Sequence, residues 1–396
     1  MSTKTRRISG TGSLFKWLKK NSETGEPEHI GWCAVADLGY GTDGKRKRQA
    51  VRGRTQREVV DRLNELLRDH QRGVLPKSGR TTVAQWLTTW LGKVETSVRP
   101  RTHEYYRWIV REHLVPTIGL KPLGKLSPSD VEAMLGNRLQ AGLSPRTVDH
   151  VRAVLRNALR WAERDGLISR NVASLATPPR VPRVEMRTMS PEGVKAFLAA
   201  LAGHPLEALY ITTLGLGLRQ GEVLGLRWSD IDLDARRLRV SRALQYIRPV
   251  AGGAGVAHLV EPKSGTSRRA LDLPEPVVDA LRQHRSRWLA EKIRLGPRWL
   301  NEWDLVFVGP FGEPLNPRLL LEDFHAVLRG AQLPEIRFHD LRHSCASLLL
   351  LAGVPARMVQ EILGHSSITL TLGTYSHVLP ELREQAVRAQ AGILGG

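Results

Sequence analysis

The stretch TLGLGLRQGEVLGLRWSDID, residues 213–232, decides how the C-terminal half of the chain is interpreted. It continues an apolar helix predicted over Ala208–Leu216 and then places Arg219 shortly after that helix. Its glycines, at 215, 217, 221 and 225, predict a broken, tightly packed helix–turn–helix around the arginine. A cation at such a point either pairs internally with Glu222 or points into a site.

Three further stretches combine polar side chains with apolar runs in a similar way. They are EPKSGTSRRALDL (261–273), FHDLRHSCASLLLLAG (338–353) and LGHSSITLTLGTYSHVLP (363–380). The first places Lys263 beside a predicted hairpin turn. The second puts His339 and Arg342 one turn apart at a helix start, and the third contains His365 and Tyr375. Side chains of these types bind anions, transfer protons or act as nucleophiles, so all four stretches are candidate site segments.

Around these stretches the chain alternates predicted strands with predicted helices. Strands are predicted at Leu238–Leu244, Leu259–Glu261 and Arg269–Leu273, and later helices are centred near Leu281, Leu320, Leu348 and Val359. Residues 183–396 are therefore predicted to form a mixed, mainly helical domain with a small antiparallel sheet. A proline-rich, semi-rigid linker at Thr177–Pro182 precedes this domain.

Residues 80–177 are predicted to form an all-helical bundle, because apolar residues recur there at helical spacing. Ser144-Pro145 marks one of the helix starts, since proline is favoured in a first turn. Opposite its apolar stripe this helix carries four arginines: Arg146, Arg152, Arg156 and Arg160. Such a face suits a DNA groove, although charge on a helix face also serves simply to solvate it.

Residues 1–79 are predicted to form a small three-stranded sheet backed by one helix. The predicted strands are Ser13–Lys19, Gly31–Leu38 and a third through Ala50 and Val51. Asp43-Gly44 predicts the hairpin turn before the third strand. Four basic residues lie near the hairpin tip: Lys45, Arg46, Lys47 and Arg48. The helix is predicted to begin after Thr55, and a linker follows at Leu75–Gly79.

The charge distribution indicates a polyanionic partner. The 396 residues include 59 Lys and Arg against 39 Asp and Glu, a net charge of +20. Residues 1–79 hold 17 basic and 9 acidic side chains, residues 80–182 hold 16 and 8, and the rest of the chain holds 26 and 22. The excess of positive charge therefore lies in the first half of the chain, as expected of a surface that binds a phosphate backbone.

Other features of the sequence exclude several classes of protein. Cys33 and Cys345 are the only cysteines, which excludes a disulfide framework and a zinc ribbon. The longest apolar run, Ala196–Ala202, is too short to cross a bilayer. The basic N-terminus lacks the apolar stretch of a secretory signal. A soluble, intracellular protein is expected.

Taken together, the four stretches resemble the sequence boxes of the tyrosine recombinase family, the integrases of phages and mobile elements. The matching residues are Arg219 in G-L-R-x-G-E, Lys263 in P-K-S, His339 and Arg342 in H-x-x-R, His365 in L-G-H and Tyr375 in T-Y-x-H. The layout in three segments is similar to that of the larger phage-type members. The resemblance implies a multidomain α+β protein. Its domains would be an arm-site DNA-binding domain (1–79), a helical, SAM-like core-binding domain (80–177) and a catalytic domain (183–396).

The resemblance also implies a site-specific recombinase that cuts and rejoins DNA through a covalent intermediate. Tyr375 would attack the scissile phosphorus, leaving a 3′-phosphotyrosine and a free 5′-hydroxyl. Arg219 and Arg342 would hold the non-bridging oxygens while charge spreads over them in the transition state. Because the phosphotyrosyl ester retains the bond energy, religation needs no ATP. Because the arginines stabilise the charge, no metal or other cofactor is expected.

Three side chains would handle protons in this reaction. Lys263 is the expected acid for the leaving 5′-oxygen, with Arg268 or His339 as the next candidates. His339 would also accept the tyrosine proton, and His365 would donate to a phosphate oxygen. Two residues are expected to support the site without reacting: Glu222 and His377.

The partners implied by the resemblance are double-stranded DNA, with core and arm attachment sites, and further copies of the chain, because exchange of four strands implies a tetramer. An excision factor or a host DNA-bending protein would be a compatible further partner. No membrane contact is expected, and the bacterial cytoplasm is the expected location.

Two alternative functions share part of the evidence: a type IB topoisomerase and a non-catalytic DNA-binding repressor. His339 and His343 also resemble the histidine pair of a zinc protease, but Asp340 replaces the glutamate of that motif.

Overall fold

The computed structural model describes residues 6–8, 12–20, 26–40, 46–71, 81–182, 187–247, 253–262 and 268–364, together with positions 387, 390, 391 and 394. The chain divides into two compact units, Met1–Pro182 and Arg183–Gly396. The architecture is mixed and mainly helical with small antiparallel sheets, as the sequence predicts. Within the described ranges, every helix is too short or too polar to cross a membrane.

The first unit begins with a four-stranded antiparallel sheet, so the prediction of three strands is wrong. In spatial order the strands are β1 (Arg6–Ile8), β2 (Gly12–Lys20), β3 (Pro27–Tyr40) and β4 (Arg46–Gly53). The additional strand, β1, pairs with the start of β2, with Arg6 opposite Leu14 and Ile8 opposite Gly12. A three-residue strand that contains two arginines has no apolar alternation, so its sequence pattern does not reveal it.

Helix α1 (Gln56–Gln71) covers one face of this sheet. The buried side chains between helix and sheet are Leu14, Ala34, Ala36, Leu38, Val59 and Leu63. Val51 and Gln49 of β4 pair with Ala34 and Ala36, so they share this face, and because side chains alternate along a strand, their neighbours lie on the opposite face of the sheet. That face carries Arg48 and Arg52, and the Arg52 guanidinium lies 4.5 Å from the ring centre of Trp17.

Residues 81–182 of the first unit are mainly helical, as predicted. Its helices are α2 (Val83–Val94), α3 (Pro100–Ile109), α4 (Val115–Ile118), α5 (Pro128–Gln140), α6 (Pro145–Arg164) and α7 (Val172–Leu175), and a π-helical turn, Val110–Leu114, joins α3 to α4. The Ser144 hydroxyl caps α6 by accepting the backbone N–H of Thr147 at 3.2 Å. Trp90 and Leu155 are fully buried in the core of these helices.

The second unit surrounds two small sheets with helices. The helices are α8 (Pro191–Ala200), α9 (Glu207–Leu216), α10 (Gln220–Leu224), α11 (Glu275–Leu295), α12 (Pro317–Gly330), α13 (Phe338–Leu351) and α14 (Ala356–Leu363). The strands are β5 (Ile231–Asp232), β6 (Arg237–Val240), β7 (Ala243–Ile247), β8 (Val256–Val260) and β9 (Arg269–Asp272). Strands β5, β6 and β9 form one antiparallel sheet in that spatial order, and β7 pairs with β8 in a second.

The stretch Leu238–Leu244, predicted as one strand, contributes to both sheets, because β6 ends at Val240 and β7 begins at Ala243. Between the two strands, the Ser241 hydroxyl donates to the Asp230 carboxylate at 2.7 Å. Helix α10 packs directly on β7: a Cβ at Gly225 would lie 2.7 Å from the backbone nitrogen of Leu244. Gly225 lies at the end of α10, and a Cβ at Gly221, near the start, would lie 3.0 Å from the carbonyl oxygen of Leu244, so both ends of this short helix lie against β7.

Candidate active site

The C-terminal end of α9 is the point around which the site is assembled. Gly217 ends this helix with φ of 60°, a left-handed conformation that glycine adopts without strain. A Cβ at Gly217 would lie 2.5 Å from Cδ2 of Leu363, the last residue of α14. The glycine therefore ends α9 and also allows the C-terminal ends of α9 and α14 to meet.

Arg219 follows this turn and occupies the N-cap position of α10. Its Nη1 donates to Oε1 of Glu222 at 2.5 Å, and its backbone N–H donates to Oε2 at 3.1 Å. The Glu222 side chain is 4% exposed, whereas that of Arg219 is 36% exposed. The arginine therefore pairs internally with Glu222, as one of the two possibilities raised by the sequence, while its side chain remains partly exposed to solvent.

Arg342 lies one turn into α13 and is 1% exposed. Its Nη1 donates to the carbonyl of Gly217 at 2.7 Å, and its Nη2 donates to the carbonyl of Leu363 at 2.7 Å. These carbonyls stand at the negative ends of two helix dipoles, where a cation is stabilised. Arg342 is therefore the cation that joins the ends of α9 and α14.

Three arginines from separate segments bind three consecutive carbonyls at the end of α14. Arg269 Nε donates to Ile362 at 2.6 Å, Arg342 donates to Leu363 at 2.7 Å, and Arg219 Nη2 donates to Gly364 at 3.2 Å. We call these three side chains and their acceptors the arginine clamp. It brings Arg219 and Arg342, matched in separate sequence boxes, to one place in the fold.

Glu222 is the anion of the clamp. Arg269 Nη2 lies 3.1 Å from Oε2 of Glu222, so this carboxylate contacts two guanidiniums. Burial by itself raises the pKa of the Glu222 carboxyl, but Arg269 and Arg219 outweigh burial and lower that pKa overall. The carboxylate is therefore ionised, and it is held by two cations rather than the one expected from sequence.

His339 lies at the start of α13 with its side chain open to solvent on one side. Partial desolvation by the surrounding protein lowers the pKa of its imidazole, and Arg342 and Arg219 lower it further. The ring is therefore neutral near pH 7 and able to accept a proton. His343, one turn later, contacts it edge to face at 4.8 Å between ring centres, and burial lowers the pKa of His343 to about 4. Within the described ranges no third metal-ligating side chain joins this pair.

The structure thus brings together three of the six predicted catalytic residues: Arg219, His339 and Arg342. The other three, Lys263, His365 and Tyr375, lie outside the described residues, as does His377. The clamp ends at Gly364, so in sequence it directly precedes His365 and stands eleven residues before Tyr375.

The predicted basic hairpin is described only in part. Lys45 lies outside the described residues, and of Lys47 only the backbone, in β4, is described. Arg46 Nε donates to the Asp37 carboxylate at 2.7 Å, and Arg48 is exposed on the face of the sheet opposite α1.

The arginines predicted on one face of α6 have different surroundings. Arg146 is exposed and Arg156 is half-buried. The Arg152 side chain is 12% exposed, and it donates to the Asp149 carboxylate at 3.1 Å and to the Ala173 carbonyl at 3.5 Å. Because Arg152 joins α6 to α7, its contacts are those of a structural residue.

Sequence reasoning did not select Arg269 as a site residue. The available signal was the pair Arg268-Arg269 at the start of a predicted strand, since neighbouring strand residues face opposite sides. In the structure Arg268 is exposed and pairs with Glu261, whereas the Arg269 side chain is 7% exposed and belongs to the clamp.

Two family models match the chain. The model described as "Phage integrase family" matches residues 187–381, and "Phage integrase, N-terminal SAM-like domain" matches residues 82–139. A protein of Caldanaerobacter subterraneus subsp. tengcongensis named "Tyrosine recombinase XerC-like" is 30% identical over 364 residues, covering 88% of this chain and 93% of its own length.

Solved structures share the fold. The Tn1549 transposon integrase, in complex with a circular intermediate DNA, aligns with a TM-score of 0.63 at 22% identity, covering 78% of this chain and 99% of its own. A lambda integrase tetramer bound to a Holliday junction aligns with a TM-score of 0.54 at 16% identity, covering 89% of this chain and 96% of its own.

Proposed function

We propose that this chain, which belongs to the phage integrase family of tyrosine recombinases, exchanges DNA strands at the site built around the arginine clamp. The family makes the chain a site-specific DNA recombinase. The topoisomerase and repressor alternatives are not favoured, because the matched relatives are recombinases and integrases. The observation that carries the proposal for the site is the meeting of Arg219 and Arg342 at the paired ends of α9 and α14.

The two guanidiniums would stabilise the scissile phosphate. An attacked phosphodiester gains negative charge on its non-bridging oxygens, and fixed cations lower the energy of that state without reorganising. Arg219, with the larger exposed fraction, would meet the phosphate first. Arg342, whose guanidinium binds two carbonyls at the same place, would add a second fixed positive charge close to the phosphate.

The chemical step would form one bond and break another at phosphorus. Tyr375 Oη attacks, the bond to the 5′-oxygen breaks, and the 5′-oxygen leaves as a hydroxyl. The neutral imidazole of His339 would take the phenolic proton, which its lowered pKa permits, and Lys263 would protonate the leaving oxygen. His365 would donate a hydrogen bond to a phosphate oxygen. Attack of a second 5′-hydroxyl on the phosphotyrosine reverses these events and rejoins the strands.

A suicide DNA substrate tests this proposal directly. A nick placed just beyond the scissile phosphate releases the short 5′-hydroxyl fragment, so religation fails and the covalent complex accumulates. We expect the wild-type chain to yield a protein–DNA adduct that survives denaturation. An intact, DNA-bound protein that never yields this adduct would contradict the proposal.

We propose further that the chain divides its DNA contacts among three segments. Residues 1–79 would bind arm sites, residues 80–177 would bind the core site, and residues 183–396 would carry the chemistry. The match of a SAM-like domain at residues 82–139 and of the family's main domain at residues 187–381 supports this division. The exposed Arg48 and the Arg52–Trp17 pair, on the sheet face opposite α1, support DNA binding by the first segment.

Truncation of residues 1–79 should remove arm-site binding and leave cleavage of a core-site suicide substrate unchanged. The segment holds 17 basic and 9 acidic side chains but none of the six predicted catalytic residues. Gel-shift titrations with arm-site and core-site duplexes, at several salt concentrations, would measure the separation. A folded truncation that fails to cleave the core substrate would contradict the division.

Two arginines of α6 should respond differently to replacement by alanine. Arg146→Ala should weaken core-site binding and lower the slope of log affinity against log salt by about 1, because a phosphate contact is lost. Arg152→Ala should keep that slope and lower stability by about 1–3 kcal/mol, because the partly buried Asp149 and the Ala173 carbonyl lose their donor. Salt-dependent binding and thermal melting would distinguish them, and a reversed pattern would contradict the assignment.

The assembly that performs the exchange is proposed to be a tetramer on two DNA duplexes, in the bacterial cytoplasm where the DNA lies. The lambda integrase tetramer on a Holliday junction, which shares this fold, supports the stoichiometry. Sedimentation of the chain with a synthetic four-way junction would measure the number of protomers bound.

A further inference from the structure

We infer that Arg269 is a positioning residue of the recombinase site, acting through Glu222 and the end of α14 rather than on DNA. This inference rests on the proposed function, because it concerns how Arg219 is kept ready for the phosphate. Arg269 opens β9, which pairs with β6 through Val240 opposite Arg269. The pairing of β9 with β6 therefore holds the backbone of Arg269 in place, and its guanidinium extends to Glu222 and to the Ile362 carbonyl.

The contacts of Arg269 tie two parts of the site together. Its Nε donates to the Ile362 carbonyl at 2.6 Å, and its Nη2 donates to Oε2 of Glu222 at 3.1 Å. A planar guanidinium holds both acceptors at a fixed angle, which a flexible ammonium cannot do. The bond to Ile362 fixes the end of α14, from which the chain continues to His365 and Tyr375. The bond to Glu222 fixes the partner of Arg219.

Burial separates Arg269 from the residues that would touch DNA. Its side chain is 7% exposed, against 36% for Arg219 on the other side of the same carboxylate. Both arginines therefore bind Glu222, but the Arg219 side chain is much more exposed to solvent than the Arg269 side chain. Arg269 holds the buried side of the carboxylate, and this leaves Arg219 as the partner that faces the incoming phosphate.

Charge balance explains why the loss of Arg269 should affect Arg219. Glu222 is ionised and buried, and Arg269 and Arg219 are the cations that lower its pKa. Without Arg269, the carboxylate would have Arg219 as its remaining close cation, because an uncompensated buried charge is costly. Arg219 would then be held more tightly by Glu222 and would be less able to bind the phosphate. The defect should appear in the cleavage rate and not in DNA affinity.

The experiment compares four chains on a core-site suicide substrate: wild type, Arg269→Gln, the double variant Glu222→Gln with Arg269→Gln, and Arg237→Gln as the matched control. Arg237 is an exposed arginine of β6, in the same sheet, that pairs with Asp272 at the surface. The measured quantities are the single-turnover rate of adduct formation at saturating protein, the dissociation constant for DNA, and the melting temperature.

We expect Arg269→Gln to slow adduct formation by roughly 10- to 100-fold, the range for misplacement of a catalytic group. DNA affinity should stay within about twofold of wild type, because Arg269 contacts no DNA in this scheme. The double variant should be several-fold faster than Arg269→Gln, since removing the carboxylate charge releases Arg219. Arg237→Gln should behave as wild type.

Three results with these four chains would overturn the inference. The first is an Arg269→Gln rate equal to that of Arg237→Gln. The second is loss of DNA affinity in proportion to the rate, which would make Arg269 a DNA contact. The third is a double variant no faster than Arg269→Gln, as a merely structural role requires. If Arg269→Gln does not fold, Arg269→Lys keeps the charge but loses the fork, and a wild-type rate for that variant would overturn the inference. Absence of an adduct from the wild-type chain would instead contradict the proposed function.

Discussion

Replacement of Tyr375 by phenylalanine is expected to abolish covalent capture of a suicide substrate while leaving DNA binding intact. The substitution keeps the ring and removes only the oxygen that would attack phosphorus. Loss of a nucleophile typically lowers the rate by roughly 10⁴-fold or more. Adduct formation should therefore fall below detection on a denaturing gel, whereas the dissociation constant measured by gel shift should change little.

Tyr246→Phe is the matched control for this experiment. Tyr246 lies in the same unit, on β7, and its hydroxyl donates to the Pro314 carbonyl at 2.8 Å. Loss of this bond should lower stability by about 1 kcal/mol and leave capture unchanged. A persistent adduct in the Tyr375→Phe chain would show that the nucleophile lies elsewhere, and equal loss of capture in both variants would show that the defect is not specific to Tyr375.

Lys263→Ala is expected to slow cleavage of ordinary DNA by roughly 10²- to 10⁴-fold, the usual range for loss of a general acid. A substrate with sulfur at the 5′-bridging position has a better leaving group that needs little protonation. Cleavage of that substrate by Lys263→Ala should therefore approach the wild-type rate. Single-turnover rates on the two substrates, measured side by side, give the comparison.

Arg219→Ala is the counterpart of Lys263→Ala. It should be slower than wild type by roughly 10²- to 10³-fold on both substrates, because its proposed role is to stabilise phosphate charge. Equal defects of Lys263→Ala on the oxygen and sulfur substrates would remove Lys263 from the acid role. Arg268 and His339 would then be the next residues to test as the acid.

Helical sequence patterns were sufficient to predict much of the secondary structure of this chain, whereas strand patterns were not. Apolar periodicity predicted the helical segment at residues 80–177 and the helices α9, α11, α12, α13 and α14, but not α8, and the Ser-Pro pair at Ser144 predicted the start of α6 correctly. Period-two patterns were less reliable. They missed the short β1, which has two arginines in three residues, and they merged β6 with β7, because only Ser241 and Arg242 separate these strands. Neither feature has a local sequence signature.

The surroundings of charged residues were also not predictable from local sequence patterns. Arg146 and Arg152 are six positions apart on one helix and were predicted to serve the same role. In the structure Arg152 is largely buried, because α7 supplies the Ala173 carbonyl that it binds. A helical pattern identifies a polar face, but it does not show which part of that face another element covers.

The sequence by itself determined the family, the order of the boxes along the chain, and the glycines at which the backbone must turn or approach closely. These properties depend on residue types at short spacings, which the linear chain records directly. Only the tertiary structure decided that Arg269 faces inward while Arg268 faces solvent, that Glu222 binds two cations, and that three arginines share the last carbonyls of α14. Burial and pairing of a charge depend on which distant segments pack around it. For Arg269 those segments are α10 and α14, 47 and 93 residues away in sequence.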